Sequence, residues 1–133
     1  VLSAKLSRLD GYIDARQKAA AFYDHVLGEM DEVLIPARAH CGTHVFHQYT
    51  IQVASDKRDA LKQHLGELGI PSMIYYPVPT QDQEAFKGIL KTPVSLEMTN
   101  ALCGKVLSLP MHSELDDDQL EYICGGIKAF YGK

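Results

Sequence analysis

The sequence lacks the features that mark a membrane protein or a nucleic-acid-binding protein. Its 133 residues contain no apolar stretch as long as a signal peptide or a transmembrane helix. It also lacks an excess of positive charge, because 13 Lys and Arg stand against 17 Asp and Glu, for a net charge of −4. Such a charge balance repels polyanions. We therefore expect neither a nucleic acid nor a membrane among its partners.

Cysteine is scarce, and the common catalytic motifs are absent. The three cysteines, Cys41, Cys103 and Cys124, are odd in number and far apart, which is typical of a reducing, cytoplasmic setting. The sequence has no G-x-S-x-G nucleophile elbow, no P-loop and no G-x-G-x-x-G turn. We therefore predict that the chain has no self-sufficient active site.

What is present is the composition of one globular domain, 1–133, with 46% apolar and 23% charged residues. Apolar spacing and turn residues predict seven elements. They are a helix from 1 to near 27, a strand over 45–53, a helix capped by Ser55 and Asp56 and ended by Gly69, a strand over 70–76, a short helix from Pro93 to Gly104, a strand over 106–110, and a last helix opened by a capping box of Ser113 and Asp116. This order predicts an α/β fold, a two-layer sandwich in which helices cover a small three-stranded sheet.

The predicted first helix is long and has no start signal. Its apolar stripe already begins at Leu2, Leu6 and Leu9, with no Ser, Thr, Asp or Asn cap before it. A helix of that length measures roughly 40 Å, whereas a domain of this size has a radius of gyration of about 14 Å. We therefore expect one end to overhang with an exposed apolar patch, a possible bend at Gly11, and a chain cut from something longer. A processed start with a frayed first turn is the alternative.

A cluster of histidines and one cysteine raises the question of a zinc site. His40, Cys41, His44 and His47 are ligand types that zinc prefers, at close spacing. On a strand, however, His44 and His47 are three residues apart and point to opposite faces. We therefore predict no metal site, and we expect His47 to be a hydrogen-bonded histidine at the edge of the core.

A pair of tyrosines ends the second predicted strand. Tyr75 and Tyr76 are followed by Pro77-Val78-Pro79, a rigid turn at the kind of strand end where ligand-binding groups collect in α/β folds. Adjacent residues on a strand face opposite ways, so we expect at most one of the two phenols in the core. The other is then open to solvent or to a ligand. A purely structural role for both tyrosines is the equal alternative.

Several residue strings together resemble one family. They are Val1-Leu2-Ser3-Ala4-Lys5-Leu6 with Leu9-Asp10-x-Tyr12-Ile13 and Arg16, then His44-Val45-Phe46-His47-Gln48-Tyr49, then Gly69-Ile70 and Tyr75-Tyr76-Pro77-Val78-Pro79 with Gln83, and then Leu107-Ser108-Leu109-Pro110-Met111-His112. In this order they resemble the C-terminal part of the pyridoxal phosphate (PLP)-dependent sugar aminotransferases, the DegT/DnrJ/StrS group. The resemblance runs from one end of the chain to the other.

The resemblance implies the small C-terminal domain of a homodimeric fold type I aminotransferase. The large N-terminal domain, with PLP and its Schiff-base lysine, would then precede Val1. None of the chain's lysines stands in the family's lysine context; they are Lys5, Lys18, Lys57, Lys62, Lys87, Lys91, Lys105, Lys128 and Lys133. We therefore expect no catalytic and no cofactor-binding residue in this chain, and no transamination by the chain alone.

The resemblance also implies a substrate and the residues that contact it. The substrate class is a keto sugar nucleotide of cell-surface polysaccharide or deoxysugar biosynthesis, and the implied substrate-binding residues are Tyr75, Tyr76, Gln81 and His47. Gln81 stands where relatives often have His, so this chain keeps hydrogen bonding but lacks the titratable group. The alternative is an independent small domain that binds a metabolite or a partner through the loop of Tyr75 and Tyr76.

Overall fold

The computed structural model describes residues 2–86, 89 and 95–133. Its helices are α1 (Leu2–Leu6), α2 (Leu9–Leu27), α3 (Arg58–Glu67), α4 (Glu97–Lys105) and α5 (Asp117–Phe130), and its strands are β1 (Tyr49–Gln52) and β2 (Val106–Leu109). Two single-turn 3-10 helices, Thr80–Asp82 and Glu84–Phe86, lie between α3 and α4. The predicted fold class, helices packed with a small sheet, is confirmed.

The sheet is an antiparallel pair. Tyr49 lies opposite Leu109 and Gln52 lies opposite Val106. On the outer side of β1, Leu34 forms an isolated bridge with Gln52. The pattern of alternate burial expected of a strand holds along β1, where Tyr49 and Ile51 are fully buried.

The prediction of a third strand over 70–76 was wrong. Within that segment the structure shows a single bridge, in which the backbones of Met73 and Ser108 exchange hydrogen bonds of 3.0 and 2.7 Å. The physical reason is proline on both sides of the bridge. Pro71 and Pro77 lack the N–H that a longer ladder needs.

The core lies between the sheet and helices α2, α3 and α5. The fully or almost fully buried side chains from these elements are Ala19, Ala20, Tyr23, Leu27, Tyr49, Ile51, Leu61, Leu65, Leu107, Leu109, Leu120, Ile123, Cys124 and Ile127. Helix α5 packs against both α2 and α3. Each large aliphatic side chain buried in this way stabilises the fold by about 1.5–3 kcal/mol, so the three helices and the sheet form one cooperative core.

The predicted first helix is divided in two, so the expectation of one continuous helix was wrong. The break falls at residues 7–8 and not at Gly11, which lies inside α2. No residue of α1 is buried, so α1 contributes nothing to the core that anchors α2. Among the described residues, no helix is both long and apolar enough to cross a membrane.

The expected overhang and its apolar patch are confirmed. Leu2, Leu6 and Leu9 are 85%, 68% and 46% exposed, respectively. The same stripe further along α2 is buried at Ala20, Tyr23 and Leu27, and Val1 lies outside the described residues. One end of a single apolar stripe therefore packs on the core while the other end stays open.

Two helix boundaries, the start of α3 and the end of α4, differ from their predicted signals. Helix α3 begins after Lys57 without a side-chain cap, so the predicted Ser55-Asp56 cap was wrong, whereas Gly69 does adopt the left-handed φ of +73° expected of a helix end. Helix α4 includes Gly104 and ends one residue later; its predicted start at Pro93 lies outside the described residues.

The capping box of the last helix is displaced by three residues. The pair is Asp116 and Gln119, and not Ser113 and Asp116. The Gln119 N–H donates a 2.8 Å hydrogen bond to Asp116 Oδ1, and the Asp116 N–H donates to Gln119 Oε1 at 3.2 Å. Gln serves as the third helical residue of a capping box as Glu does, so both backbone N–H groups at this helix start have a hydrogen-bond partner.

Candidate functional site

The chain bends at Phe46, immediately before the sheet. The predicted strand over 45–53 therefore begins only at Tyr49. Phe46 has a φ of +48°, a left-handed conformation that is rare for a bulky residue, yet its side chain is only 5% exposed. The expectation that His47 lies at the core edge with Tyr49 was wrong, because Phe46 takes the buried place and His47 is exposed.

Side chains from α2 hold this bend. Arg16 Nη1 donates hydrogen bonds to the carbonyls of Phe46 and His47 at 3.2 and 3.4 Å. Gln17 Nε2 donates to the carbonyl of His44 at 3.0 Å. Within the bend, the Phe46 N–H donates to Nδ1 of the His44 ring at 2.9 Å. These contacts supply partners for backbone groups that lie outside the strand ladder.

A carboxylate on α2 joins the bend to the sheet. Asp24 forms an ion pair with Arg38, whose Nε donates a 3.0 Å hydrogen bond to Oδ2. The Arg38 guanidinium in turn lies 4.0 Å from the centroid of the Phe46 ring, a cation–π distance. The Tyr49 hydroxyl donates a 2.6 Å hydrogen bond to Asp24 Oδ1. One carboxylate thus connects α2, the loop before the sheet and β1.

Two phenols beneath the bend are structural donors. Burial raises the pKa of Tyr49 far above its ordinary range, and its hydrogen bond to Asp24 raises that pKa further. Burial also raises the pKa of Tyr23, which donates a 2.9 Å hydrogen bond to the carbonyl of Pro110. Both hydroxyls therefore keep their protons at neutral pH. They act as hydrogen-bond donors, and no phenolate is available to act as a base.

His47 borders two surface hollows. The first, which we call the loop hollow, has a volume of about 780 Å³ and is lined mainly by residues of 36–48. The second, the helix hollow, measures about 590 Å³ and lies between α1, the first half of α2 and residues 113–114. Arg16 also lines the helix hollow. The imidazole is therefore open to a ligand in either place.

The two candidate tyrosines lie together on the surface. Tyr75 and Tyr76 are 37% and 69% exposed. Their ring centroids are 5.6 Å apart in an edge-to-face arrangement. The expectation that they face opposite ways was wrong, because the backbone has left the sheet after Met73. The structure therefore presents two neighbouring phenols to solvent.

Gln81 lies beyond the proline turn and is held from α4. Its Nε2 donates a 2.9 Å hydrogen bond to Asn100 Oδ1. Neither hollow bordered by His47 is lined by Tyr75, Tyr76 or Gln81. Neither of these two hollows therefore gathers the four residues predicted to contact substrate.

The structural role of Arg16 and Phe46 in this region was not predicted from the sequence. The signal for Arg16 was available, since it occupies a position of the apolar stripe between Ile13 and Ala20. A charged residue in such a stripe needs buried or half-buried acceptors, and the two carbonyls of the bend supply them. No local signal marks Phe46 for a left-handed conformation, which in sequence is typical of Gly or Asn.

The argument against a zinc site assumed that His44 and His47 lie on a strand, and the structure shows a different arrangement. His44 and His47 do not lie on a strand. Instead, the His44 ring packs 4.4 Å from the Phe46 ring while its Nδ1 accepts the backbone hydrogen bond described above. In the part of the chain that the structure describes, no three His, Cys, Asp or Glu residues are arranged to hold a metal ion.

The segments that form the bend and the tyrosine pair are those on which the family resemblance rests. A comparison with known families agrees with it, since the DegT/DnrJ/EryC1/StrS aminotransferase family matches residues 1–128. The chain belongs to this family.

Individual relatives match over the whole chain. The pleiotropic regulatory protein of Geobacillus stearothermophilus is 38% identical, over 98% of this chain and 35% of that protein. The UDP-N-acetyl-3-dehydro-alpha-D-glucosamine 3-aminotransferase of Acidithiobacillus ferrooxidans is also 38% identical, over 96% of this chain and 33% of that protein. The crystal structure of a DegT DnrJ EryC1 StrS aminotransferase from Brucella abortus has a TM-score of 0.91 and 36% identity, over 100% of this chain and 35% of that chain. The chain thus spans about a third of the length of these relatives.

Proposed function

We propose that residues 1–133 are the C-terminal domain of an aminotransferase that transfers an amino group to a keto sugar nucleotide. The observation that carries the proposal is the family match over 1–128, together with 38% identity to an enzyme named for 3-amino transfer to a dehydro sugar nucleotide. The proposed substrate is therefore a nucleoside diphosphate sugar with a keto group, as used in building cell-surface polysaccharides. In this proposal the chain orients the substrate and does not perform the chemistry.

The exposed phenols are the proposed main contacts with substrate. Tyr75 and Tyr76 offer both hydroxyls for hydrogen bonding and ring faces for stacking on a base or sugar. Gln81, oriented by Asn100, adds an amide that hydrogen bonds without exchanging a proton. His47 is a further proposed contact, since it is exposed and borders both the loop hollow and the helix hollow.

The PLP of this family does not fit the residues that the structure describes. A lysine that binds PLP covalently is enclosed in a pocket that tunes its amine. The described lysines, Lys5, Lys18, Lys57, Lys62, Lys105, Lys128 and Lys133, are all exposed or half-buried, and Lys87 and Lys91 lie outside the described residues. We therefore assign PLP and its lysine to a preceding N-terminal domain of the same polypeptide.

The exposed face of α1 is the proposed contact with that domain. Leu2 and Leu6 of α1, which has no buried residue, form an apolar patch together with Leu9 at the start of α2, and such patches mark interaction sites. A homodimer of the complete enzyme and a cytoplasmic location are part of the same proposal. The three free cysteines, Cys41, Cys103 and Cys124, support a reducing compartment.

Binding of UDP-N-acetylglucosamine, followed by NMR on the ¹⁵N-labelled protein, tests the substrate contact. We expect ligand-dependent shifts at residues 75–81 and a dissociation constant roughly fivefold higher in the variant Tyr75→Ala/Tyr76→Ala, which corresponds to about 1.0 kcal/mol. Tyr122→Ala is the matched control, because Tyr122 is an exposed tyrosine on α5. Equal weakening by the two variants, or shifts confined to other surfaces, would contradict the proposed contact.

The reading frame around Val1 separates the two candidate classes of protein. Several hundred in-frame codons upstream of Val1 are the expected result for a domain of an aminotransferase. A start codon immediately before Val1 would instead favour an independent small binding domain. Purified full-length protein should then show amino transfer to a keto sugar nucleotide.

A further inference from the structure

We propose that Arg16 is a positioning residue for His47. By holding the left-handed bend at Phe46, it decides that His47 faces the two hollows and not the core. The use of His47 in contacting a sugar nucleotide rests on the proposed function. The effect of Arg16 on the orientation of His47 does not.

The bend decides whether His47 or Phe46 lies on the buried face of the chain before β1. In a regular strand that continued back from Tyr49 and Ile51, every second residue would share their buried face, and His47 would be one of them. The structure departs from this alternation at the bend, where Phe46 has a positive φ: Phe46 is buried and His47 is exposed. A left-handed conformation at a phenylalanine is unfavourable in itself and persists only where surrounding contacts hold it.

Arg16 lies where its side chain can hold the left-handed conformation of Phe46. Its Nη1 donates to two successive carbonyls, those of Phe46 and His47. These carbonyls belong to the two peptide planes on either side of the His47 Cα, and together the two planes set the direction of the His47 side chain. Gln17, the next residue of α2, holds the carbonyl of His44 on the other side of the bend. Because α2 is anchored in the core through its buried half, both donors act from a rigid support.

Substitution at Arg16 with NMR observation of His47 tests the proposal. In Arg16→Met, which keeps the length of the side chain without its donors, we expect the assigned His47 imidazole signals to move. We also expect carbethoxylation of His47 by diethyl pyrocarbonate to slow by roughly threefold or more as the ring loses exposure. Arg16→Lys should restore part of both readouts. His47→Gln provides the assignment of the signals, and Lys18→Met, an exposed change on the same helix, should leave His47 unchanged.

The outcomes separate positioning from simple stabilisation. A folded Arg16→Met protein with lowered stability but unchanged His47 signals and reactivity would overturn the proposal. If Arg16→Met does not fold, Arg16→Gln decides, because a folded Gln variant lacks the guanidinium, and wild-type His47 readouts in it would overturn the proposal as well. No sugar nucleotide is present in these measurements, so failure of the proposed function leaves their result intact. That failure would appear separately, as an unaltered KM for the sugar nucleotide in His47→Gln full-length enzyme.

Discussion

The Tyr49 hydroxyl donates a 2.6 Å hydrogen bond to the Asp24 carboxylate and so ties the first residue of β1 to α2. The same carboxylate pairs with Arg38, whose guanidinium covers the ring of Phe46. One charged group of α2 therefore contacts both β1 and the arginine that covers the bend before the sheet.

Removing the hydroxyl of Tyr49 tests this dependence. Tyr49→Phe should lower the free energy of unfolding by about 1.5–3 kcal/mol, the usual loss for a hydrogen bond to a charged group. Urea denaturation measures the change. Tyr122→Phe is the control, because its exposed hydroxyl donates to the carbonyl of Leu68 and should cost less than about 1 kcal/mol. Equal losses in the two variants would argue against a special role for the Asp24 contact.

Stability should fall at alkaline pH because buried acidic groups are held neutral. Burial raises the pKa of Cys124 from 9.0 to about 12, and it raises the pKa of Tyr23 and Tyr49 further. The unfolded chain therefore loses these protons first, so the contribution of these three groups to the free energy of unfolding is constant below about pH 8 and declines above about pH 9. Each group contributes a slope of up to about 1.4 kcal/mol per pH unit.

Cys124→Ala isolates one of these groups. The substitution should make the decline in stability between pH 9 and pH 11 shallower by the slope of one proton, as measured by urea denaturation at each pH. An unchanged slope would show that Cys124 ionises as readily in the folded protein as in the unfolded chain.

Two adjacent glycines of α5 should respond in opposite directions to alanine. At Gly125 an added Cβ meets nothing within 4 Å, so Gly125→Ala should raise the free energy of unfolding by about 0.5–1 kcal/mol through helix propensity. At Gly126 the Cβ would lie 3.0 Å from Ile70 Cδ1 and 3.1 Å from Leu68 Cδ1, and this crowding should make Gly126→Ala a net loss. Thermal unfolding of the pair measures the difference, and a stabilised Gly126→Ala would refute the close packing of α5 on this edge.

The apolar patch on α1 should be dispensable for folding but not for association. Leu2→Ser/Leu6→Ser should change the free energy of unfolding by less than about 0.5 kcal/mol, because both side chains are exposed. It should also reduce binding of a hydrophobic dye and self-association in light scattering. Leu27→Ala, in a fully buried position, should cost about 2–5 kcal/mol. A wild-type chain that is an ideal monomer at high concentration without dye binding would contradict the association.

The chain alone should not hold PLP through a unique lysine. After incubation with PLP and reduction with borohydride, mass spectrometry should show no pyridoxyl adduct confined to one site. The physical reason is that the described lysines are exposed or half-buried, so none has the enclosed setting that singles out a coenzyme lysine. A stoichiometric adduct on one lysine would overturn the assignment of the coenzyme to another domain.

Local patterns predicted most of the secondary structure. The apolar spacing of α5 placed Leu120, Ile123 and Ile127 inward, and all three are buried. Strand β2 was predicted almost to the residue. Boundaries were less predictable, because a cap such as Asp116 with Gln119 competes with other side chains nearby that have similar chemistry. Of the candidate site, the exposure of one tyrosine of the pair was predicted without saying which one, but the contact between the Tyr75 and Tyr76 rings was not predicted.

The sequence by itself determined the family, the faces of the helices and the kinds of side chain available near the sheet, because these depend on periodicity and on residues close in the chain. Only the tertiary structure decided which way His47 points. Strand alternation would place it inward, but Arg16 and Phe46, 30 residues apart in the chain, meet at the bend and reverse that choice. Contacts between distant residues can outweigh a local pattern because alternation is only a local preference, whereas side chains of α2 donate three hydrogen bonds to carbonyls of the bend.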